Sequence, residues 1–587
     1  MNEKPKSIWK KAIRVPQLLL AWLGLMLVTT FIFILTLMVT HASMTKFPAD
    51  YRLLITGAAG GTILLAGWFL IRWLCRPRNL KRSLFCVVAG ITLVALFYAE
   101  ENWRGWNAWQ QYRKEQIAQG EKPDFKDYIP APVPEDQNFA MAPVVAGCYG
   151  QMLDKNGHEI MPRNTNVVNR LRMPRTLDYS GGPTNGLNWE NAALADLKPW
   201  QNYYRGLALE TNLFPVAAQP QTAAQDVVLA LSKYDGTIEE FREAAARPFS
   251  RFPIEYDKDD PAAILLPHLG AMKQSSQLLQ LRATAELQAG ENEKAFADIQ
   301  LNFRLIEAIR TEPFIITHLV RFAILQITLQ PLYDGLAEHQ WTDGQLVELD
   351  AQLAKLDCLA DYAYSVSSEP AAHAKLIDYL EQKRGRCEEF LAMLKNDNDE
   401  SQRKLTHTSL IVAALYLAPK GWFYQNELRL SQLNHKWNAP IVDVAQHVVR
   451  PKIARQGADM ESAIPLSPYN FFARLILPTL GGYAQKAAFA QNSANLARTA
   501  LALERYRLAH GSYPQGLEAL APQFIAAVPL DVIGGGSLKY RPTSDGQFVL
   551  YSMGWNETDD GGMVAYAEGG THPKHDEGDW VWRYPAR

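Results

Sequence analysis

Few stretches of this 587-residue chain place reactive residue types at a usable spacing. Ser43-Met44-Thr45-Lys46 has the Ser-x-x-Lys spacing in which a lysine assists a nucleophilic serine. It lies between two hydrophobic runs with no accompanying Lys-Thr-Gly, so the spacing reads as chance. His572, His575 and Asp576 put two imidazoles and a carboxylate within five residues, a donor set that suits zinc. Ligands crowded on one tail seldom build a catalytic centre, and the plainer reading is surface residues. The densest acidic stretch is "YSMGWNETDDGG", where Asn556, Asp559 and Asp560 fall within five residues, followed by Asp576 and Asp579. Such Asp- and Gly-rich runs also mark solvated turns. No HExxH, GxSxG, phosphate-cradling loop or CxxC pair occurs.

The elements that must position these residues begin with a membrane end. Residues 17–40 form an uncharged run of 24, long enough to cross a hydrocarbon core of about 30 Å. Runs of 19 residues (53–71) and 17 residues (83–99) follow, so three transmembrane helices are expected within 1–100. Those hundred residues carry 12 Lys/Arg and 3 Asp/Glu, whereas the rest carries 47 and 58. The mildly acidic remainder argues against nucleic acid as a partner. Lys4, Lys6, Lys10, Lys11 and Arg14 precede the first run, and Arg72, Arg76, Arg78, Lys81 and Arg82 separate the second and third. Positive charge stays inside, so the N-terminus is expected in the cytoplasm and everything after about residue 100 outside it. Trp103, Trp106 and Trp109 recur every third residue, as if the third helix continues through the interface. Gly57 and Gly61 form a GxxxG pair suited to close helix contact.

Residues 101–145 read as a juxtamembrane helix and then a spacer, because four prolines fall between Pro130 and Pro143. Residues 146–265 are an irregular mixed region to which no fold is assigned. From 266 to 465 apolar residues recur three and four apart, which predicts a helical domain. In it "GENEKA" resembles the inter-helix turn of a tetratricopeptide repeat, with Gly290 five positions before Ala295. "LIVAALYLAPKGWF" (410–423) is the most apolar segment outside the N-terminal runs; it is too short to span and reads as a buried core helix, or less readily as a membrane-surface helix. Cys148, Cys358 and Cys387 are the only cysteines beyond the membrane end, which excludes a disulfide-built scaffold and leaves Cys358–Cys387 as one conceivable pair.

Residues 466–587 are expected to form an α+β domain. A long helix candidate ends at His510-Gly511, with Leu496, Thr499, Ala500, Leu503 and Tyr506 at helical spacing, and the runs "LKYRP" and "QFVLYSMG" read as strands. The motifs "ERYRLAHGSYP", "LEAL", "VPLD" and "LYSMGWNETDDGG", in this order, resemble the major pseudopilin of type II secretion over about a fifth of the chain. The whole chain also resembles large uncharacterised bacterial membrane proteins that end in the same way. Two departures matter: no prepilin-peptidase site of the Gly-Phe-Thr-Leu-Ile-Glu type precedes the helix, and "FFARLILPTLGGYA" contains Arg474 and is too short to anchor a pilin. The resemblance implies a long helix on a small antiparallel sheet, and calcium in the loop after the last strand. Asn556, Asp559, Asp560, Asp576 and Asp579 would be the ligands, since calcium takes six to eight oxygens. The expectation for the whole is a multi-pass protein of the bacterial inner membrane, an extracytoplasmic scaffold or adaptor for secretion or pilus-assembly proteins. The alternative is a membrane-bound extracytoplasmic hydrolase whose site is assembled from distant residues. A concave pocket with converging carboxylates or histidines would favour the hydrolase.

Overall fold

The computed structural model describes residues 80–146, 188–211, 214–393, 414–463, 467–476, 482–567 and 572–585, with a few isolated positions between 67 and 183 and Gly570. The first hydrophobic run, almost all of the second, the Gly57/Gly61 pair, residues 43–46, Cys75 and Cys148 lie outside the described residues. The chain divides into two units, 1–109 with 380–425, and 110–379 with 426–587.

In the first unit the third hydrophobic run is part of helix α1, Leu80–Ala118. Among the described residues, nothing buries its most apolar window. Leu84, Phe85, Val88, Ile91, Leu93 and Leu96 stand exposed around it, followed by Trp103 and Trp106. A helix apolar on every side needs an apolar solvent. Among the described residues two helices are long and apolar enough to cross a membrane, and the second, Ile315–Ala337, has 67% of its window buried in protein. That one is a core helix. Of the segment 410–423, expected as a buried core helix, residues 410–413 lie outside the described residues, and the rest is buried only in part: Ala418 and Phe423 are covered, whereas Tyr416 is 53% and Leu417 57% exposed.

The second unit is mostly helical. The prolines of 130–143 do not make a free spacer. Phe125, Tyr128, Phe139, Val144 and Val145 are buried among them, and Asn138 donates to the Arg251 carbonyl at 2.8 Å while accepting the Arg251 N–H at 2.9 Å. Short 3-10 turns at Glu135–Gln137 and Phe139–Met141 and a helical turn at Pro143–Ala146 fold the stretch back on itself, since proline is tolerated in a first helical turn, and its apolar side chains are covered by protein. Residues 146–265, unassigned from sequence, include two short antiparallel strands, β1 (Met152–Leu153) and β2 (Glu159–Ile160). They also include helices α2 (Lys198–Thr211), α3 (Ala223–Leu231) and α4 (Asp235–Ala245). A reciprocal Thr222–Gln225 capping box starts α3.

Helices α5 (Pro267–Gln288) and α6 (Asn292–Ala308) form the repeat-like hairpin. Gly290 takes φ +81° at its turn, where a side chain would be strained, and Ala295 is fully buried. Helices α7 (Ile315–Ala337), α8 (Asp343–Leu353) and α9 (Cys358–Gln382) follow. Cys358 and Cys387 are buried free thiols. Strands β3 (Val442–Asp443) and β4 (Val448–Val449) pair antiparallel.

The long helix near the end is α10, Tyr483–His510, closed by Gly511 in the left-handed conformation as the sequence suggests. It packs on a small antiparallel sheet of order β5–β6–β9 (Lys539–Pro542, Phe548–Ser552, Trp580–Arg583), beside which β7 (Val564–Tyr566) and β8 (Pro573–Gly578) form a hairpin. Its other side packs on α7 and α8. From Tyr483 to Glu504 nearly every residue is buried, and eight of these are alanine. Such small side chains let neighbours approach from both directions. The expected boundary at 465/466 is therefore no boundary in packing: 466–587 shares one hydrophobic core with the helices before it.

Candidate functional site

Four of the five expected calcium ligands meet at one corner of the C-terminal sheet. Asp579, just before β9, is 2% exposed and accepts backbone N–H groups from Asp560 (3.3 Å) and Gly562 (2.7 Å). Asp559 accepts the Tyr551 hydroxyl and the Gly561 N–H, both at 3.1 Å. Asn556 donates to Asp560 at 2.9 Å and accepts the Thr558 N–H at 3.0 Å. Burial raises the Asp579 carboxyl above its ordinary range against these backbone donors, and the neighbouring Asp560 and Asp559 charges add to the rise. Asp576 stands exposed on β8. The donor set is all oxygen, as calcium requires. Hydrogen bonds close the corner as it stands, and among the described residues no three His, Cys, Asp or Glu side chains converge as metal ligands.

Of His572 and His575, read from sequence as surface residues, His572 is exposed whereas His575 is held against protein. His575 lies 2.6 Å from Glu190 and stacks on Phe489 with ring centroids 3.9 Å apart. Trp582 of β9 packs on Trp189 at 5.0 Å. These contacts tie the sheet to the turn at 189–191.

Two acidic residues of the pseudopilin-like motifs turn out to be structural hubs. Glu504 is buried and takes both Arg507 nitrogens (2.7 and 2.8 Å), His339 Nδ1 (3.0 and 3.1 Å) and the Tyr513 hydroxyl (3.2 Å). Burial alone would raise its carboxyl, but the Arg507 and His339 contacts outweigh that and hold it below the ordinary range. Asp531 accepts Asn492 Nδ2 at 2.8 Å, Ser552 Oγ at 2.9 Å and the N–H groups of Ile533 and Met553 at 2.8 and 3.2 Å. It thereby joins α10, the "VPLD" turn and the end of β6.

A cavity of about 630 Å³ opens between α4, α5 and α6, lined by Asp235, Glu239, Arg242, Arg282, Glu293 and Lys294 among others. Glu286 and Asp298 are wholly buried and are not among its lining side chains. Arg282 Nε lies 2.9 Å from Glu286 and 3.6 Å from Asp298, and Arg242 reaches Asp298 at 2.5 Å. Burial raises both carboxyls, Glu286 more because Asp298 adds repulsion. Arg282 Nη1 has no hydrogen-bond partner. Sequence reasoning passed over this cluster, although Arg282 and Glu286, four apart within the apolar run "LLQLRATAELQ", were its visible sign.

A second buried network runs along α7. Glu312 takes His268 Nε2 at 2.8 Å and the Thr317 hydroxyl at 2.7 Å, and Arg321 pairs with Asp361. Burial lowers His318 to about 3, so it stays neutral. Every member is enclosed by helices, an arrangement that fixes a core and leaves a substrate no approach.

No family model, curated protein or solved structure matches the chain.

Proposed function

We propose that the protein is a membrane-anchored extracytoplasmic scaffold or adaptor whose C-terminal region presents a pseudopilin-like surface to secretion or pilus-assembly proteins. In this reading three helices within 1–100 cross a bacterial inner membrane, the N-terminus is cytoplasmic, and the mass after about residue 100 is extracytoplasmic. The observation that carries it is the apolar length of α1, bare among the described residues, which asks for an apolar, lipid surrounding. The hubs at Glu504 and Asp531 support the pseudopilin likeness, because they give structural work to the residues on which it rests. Sharing a fold does not by itself share a function, so the partner has to be found directly. Photo-crosslinking residues at the exposed positions Leu508, Leu530 and Met563, in the full chain in its native membrane, are expected to capture pseudopilins or secretion-channel components. Capture of nothing beyond a second copy or envelope glycans would overturn the secretion link.

The reading includes calcium at the corner of Asn556, Asp559, Asp560 and Asp579, supported by the all-oxygen donor set gathered there. Calcium at about 100 times its dissociation constant would stabilise the fold by about 2.7 kcal/mol. Melting the full chain in calcium and in chelator tests this, and coincident curves remove the claim.

The hydrolase alternative draws on one observation, the cavity above Glu286 and Asp298. A general acid or base must come within hydrogen-bond reach of its substrate. Both carboxyls are enclosed and held by arginines, so the geometry favours the scaffold.

A further inference from the structure

Residues 414–423 present a contradiction within the first unit. The segment is apolar, yet Tyr416 and Leu417 face outward rather than into protein. Its backbone is fastened as though water were absent. Arg384 Nη1 donates to the carbonyls of Tyr416 (2.8 Å) and Ala418 (2.7 Å), with Leu415 at 3.3 Å, and the Tyr98 hydroxyl donates to the carbonyl of Leu417. Four successive carbonyls thus have side-chain partners. On a water-exposed turn such partners are unnecessary; in an apolar medium an unmatched carbonyl costs several kcal/mol.

The segment also sits at a defined height on α1. Its partners there are Phe97, whose ring meets Trp422 edge-on at 6.5 Å, Tyr98, and Glu101, which accepts the Trp422 indole N–H at 3.0 Å. These residues bracket Glu100, the first charge after the uncharged run 83–99. The backbones touch where Gly105 and Gly421 meet: a Cβ on Gly421 would fall 1.9 Å from the Glu101 carbonyl oxygen. Close approach through paired small residues is a device of helices in lipid. Lys420, on the polar side, pairs with Glu381 at 3.2 Å.

We infer that residues 414–423, where one helix ends and the helix Lys420–Leu433 begins around Pro419, form a second membrane contact lying in the headgroup region with Tyr416 and Leu417 directed into the acyl boundary. Its occupant is the lipid bilayer, because the exposed apolar surface is continuous with that of α1 at the level where α1 leaves the hydrocarbon. The inference rests on α1 spanning the membrane. An interfacial contact of this kind would help fix the rotation and tilt of α1 at its exit, adding to the anchoring by Trp103 and Trp106.

The test uses the full chain reconstituted in vesicles of phosphatidylcholine and phosphatidylglycerol. One version keeps exposed Cys86 as the reporter of the α1 span; the other carries Cys86→Ser with Leu417→Cys. Both carry Cys75→Ser and Cys148→Ser, and the buried Cys358 and Cys387 stay in place. Each is labelled with a small fluorophore and challenged with iodide, with lipid bearing a quencher near the headgroup, and with lipid bearing it near the chain end. The expected result is quenching at Cys86 by the deep lipid quencher and at Leu417→Cys by the shallow one, at a depth of about 5–10 Å. Iodide quenching at 417 with lipid quenching at Cys86 overturns the inference and leaves the span standing. Iodide quenching at both positions overturns the span and the inference together. Tyr416→Cys provides the same readings should Leu417→Cys not fold.

Discussion

Asp334 offers a direct test of how tightly the core between α7 and the C-terminal sheet is packed. It sits on α7, 4% exposed, with Gln330 Nε2 donating to it at 2.8 Å. Burial raises its carboxyl from 3.8 to about 7, and the hydrogen bonds from Gln330 and the Ala195 backbone only partly offset this. The folded state therefore holds a proton that the unfolded state has released. Stability from this group is complete below the ordinary aspartate range and is lost as pH rises through about 7. Holding a proton across one further pH unit is worth about 1.4 kcal/mol, so a rise from 3.8 to about 7 sets a ceiling of about 4 kcal/mol. About half of that is a sober expectation once the core relaxes. Asp334→Asn keeps the shape and the Gln330 contact while removing the proton. Denaturant midpoints of the full chain in detergent, followed by tryptophan fluorescence, give the comparison. The variant is expected to gain on the parent steadily between pH 4 and 7, reaching about 2 kcal/mol, and to hold that lead above pH 7. Taking the difference between two chains cancels other groups that titrate in the same window, such as Glu369, raised by burial to about 7. A difference that stays constant with pH would refute the burial of Asp334.

The two hubs make sharper predictions than their surroundings. Glu504→Gln leaves Arg507 and His339 without their shared anion and is expected to cost about 2–3 kcal/mol, read as a lower denaturation midpoint. A loss below about 0.5 kcal/mol, the usual size for an inert surface change, would show that Glu504 does not organise the helix end. Asp531→Ala strands the Ile533 and Met553 N–H groups and the Ser552 hydroxyl proton, each orphan costing about 1–3 kcal/mol, while Asn492 keeps Ser552 as an acceptor, and should lower the denaturation midpoint sharply. Asp531→Asn, which keeps one acceptor oxygen, should fall between the two. A mild Asp531→Ala phenotype would remove that hub.

The sequence was most legible where the signal is local. The end of α10 at His510-Gly511 and the turn at Gly290 are each written in a few residues, because a left-handed position selects glycine whatever surrounds it. Legibility failed where the deciding contacts are distant. The prolines of 130–143 suggest an extended spacer, whereas the stretch forms short helical turns at 135–137, 139–141 and 143–146, and Asn138 finds Arg251 more than a hundred residues on, a pairing that nothing local announces. Residues 410–423 are apolar enough for a core, and the contacts that fix the described part, from Arg384, Tyr98 and Gly105, come from residues none of which is nearby in sequence. At the candidate site the acidic loop is visible in the sequence as a cluster, and Asp579 lies beside it, accepting the Asp560 and Gly562 N–H groups. Asp576 was not separable from Asp579 by composition, because strand alternation and the bend before Trp580 decide which one turns inward.

Whether the pseudopilin-like region is a detachable head is decided by the two faces of α10. Asn492 and Asn495 look toward the sheet side, bonding Asp531 and the Leu530 carbonyl. Gln491, Arg498 and Arg505, spaced seven apart, look the other way, to the Cys358 N–H, Asp350 and Asp343. Tyr483 stacks near Phe322, and Trp582 is closed over by Tyr333 and Trp189. A fragment of residues 466–587 would keep the first face and bare the second. Each large side chain so exposed forfeits about 1.5–3 kcal/mol, and three or four of them equal the whole 5–15 kcal/mol by which domains are commonly stable. The fragment is therefore expected to show no cooperative thermal transition, while one extended back to include α7, α8 and α9 recovers it. A sharp melt of 466–587 alone, at the temperature seen for the full chain, would mean that the second face contributes little and that the region is an independent head. Failure of the short fragment would place the selective pressure on the fused body: whatever binds the pseudopilin-like surface meets it held rigidly by the helices, and variants on α8 such as Asp350→Ala would then weaken that binding without touching it.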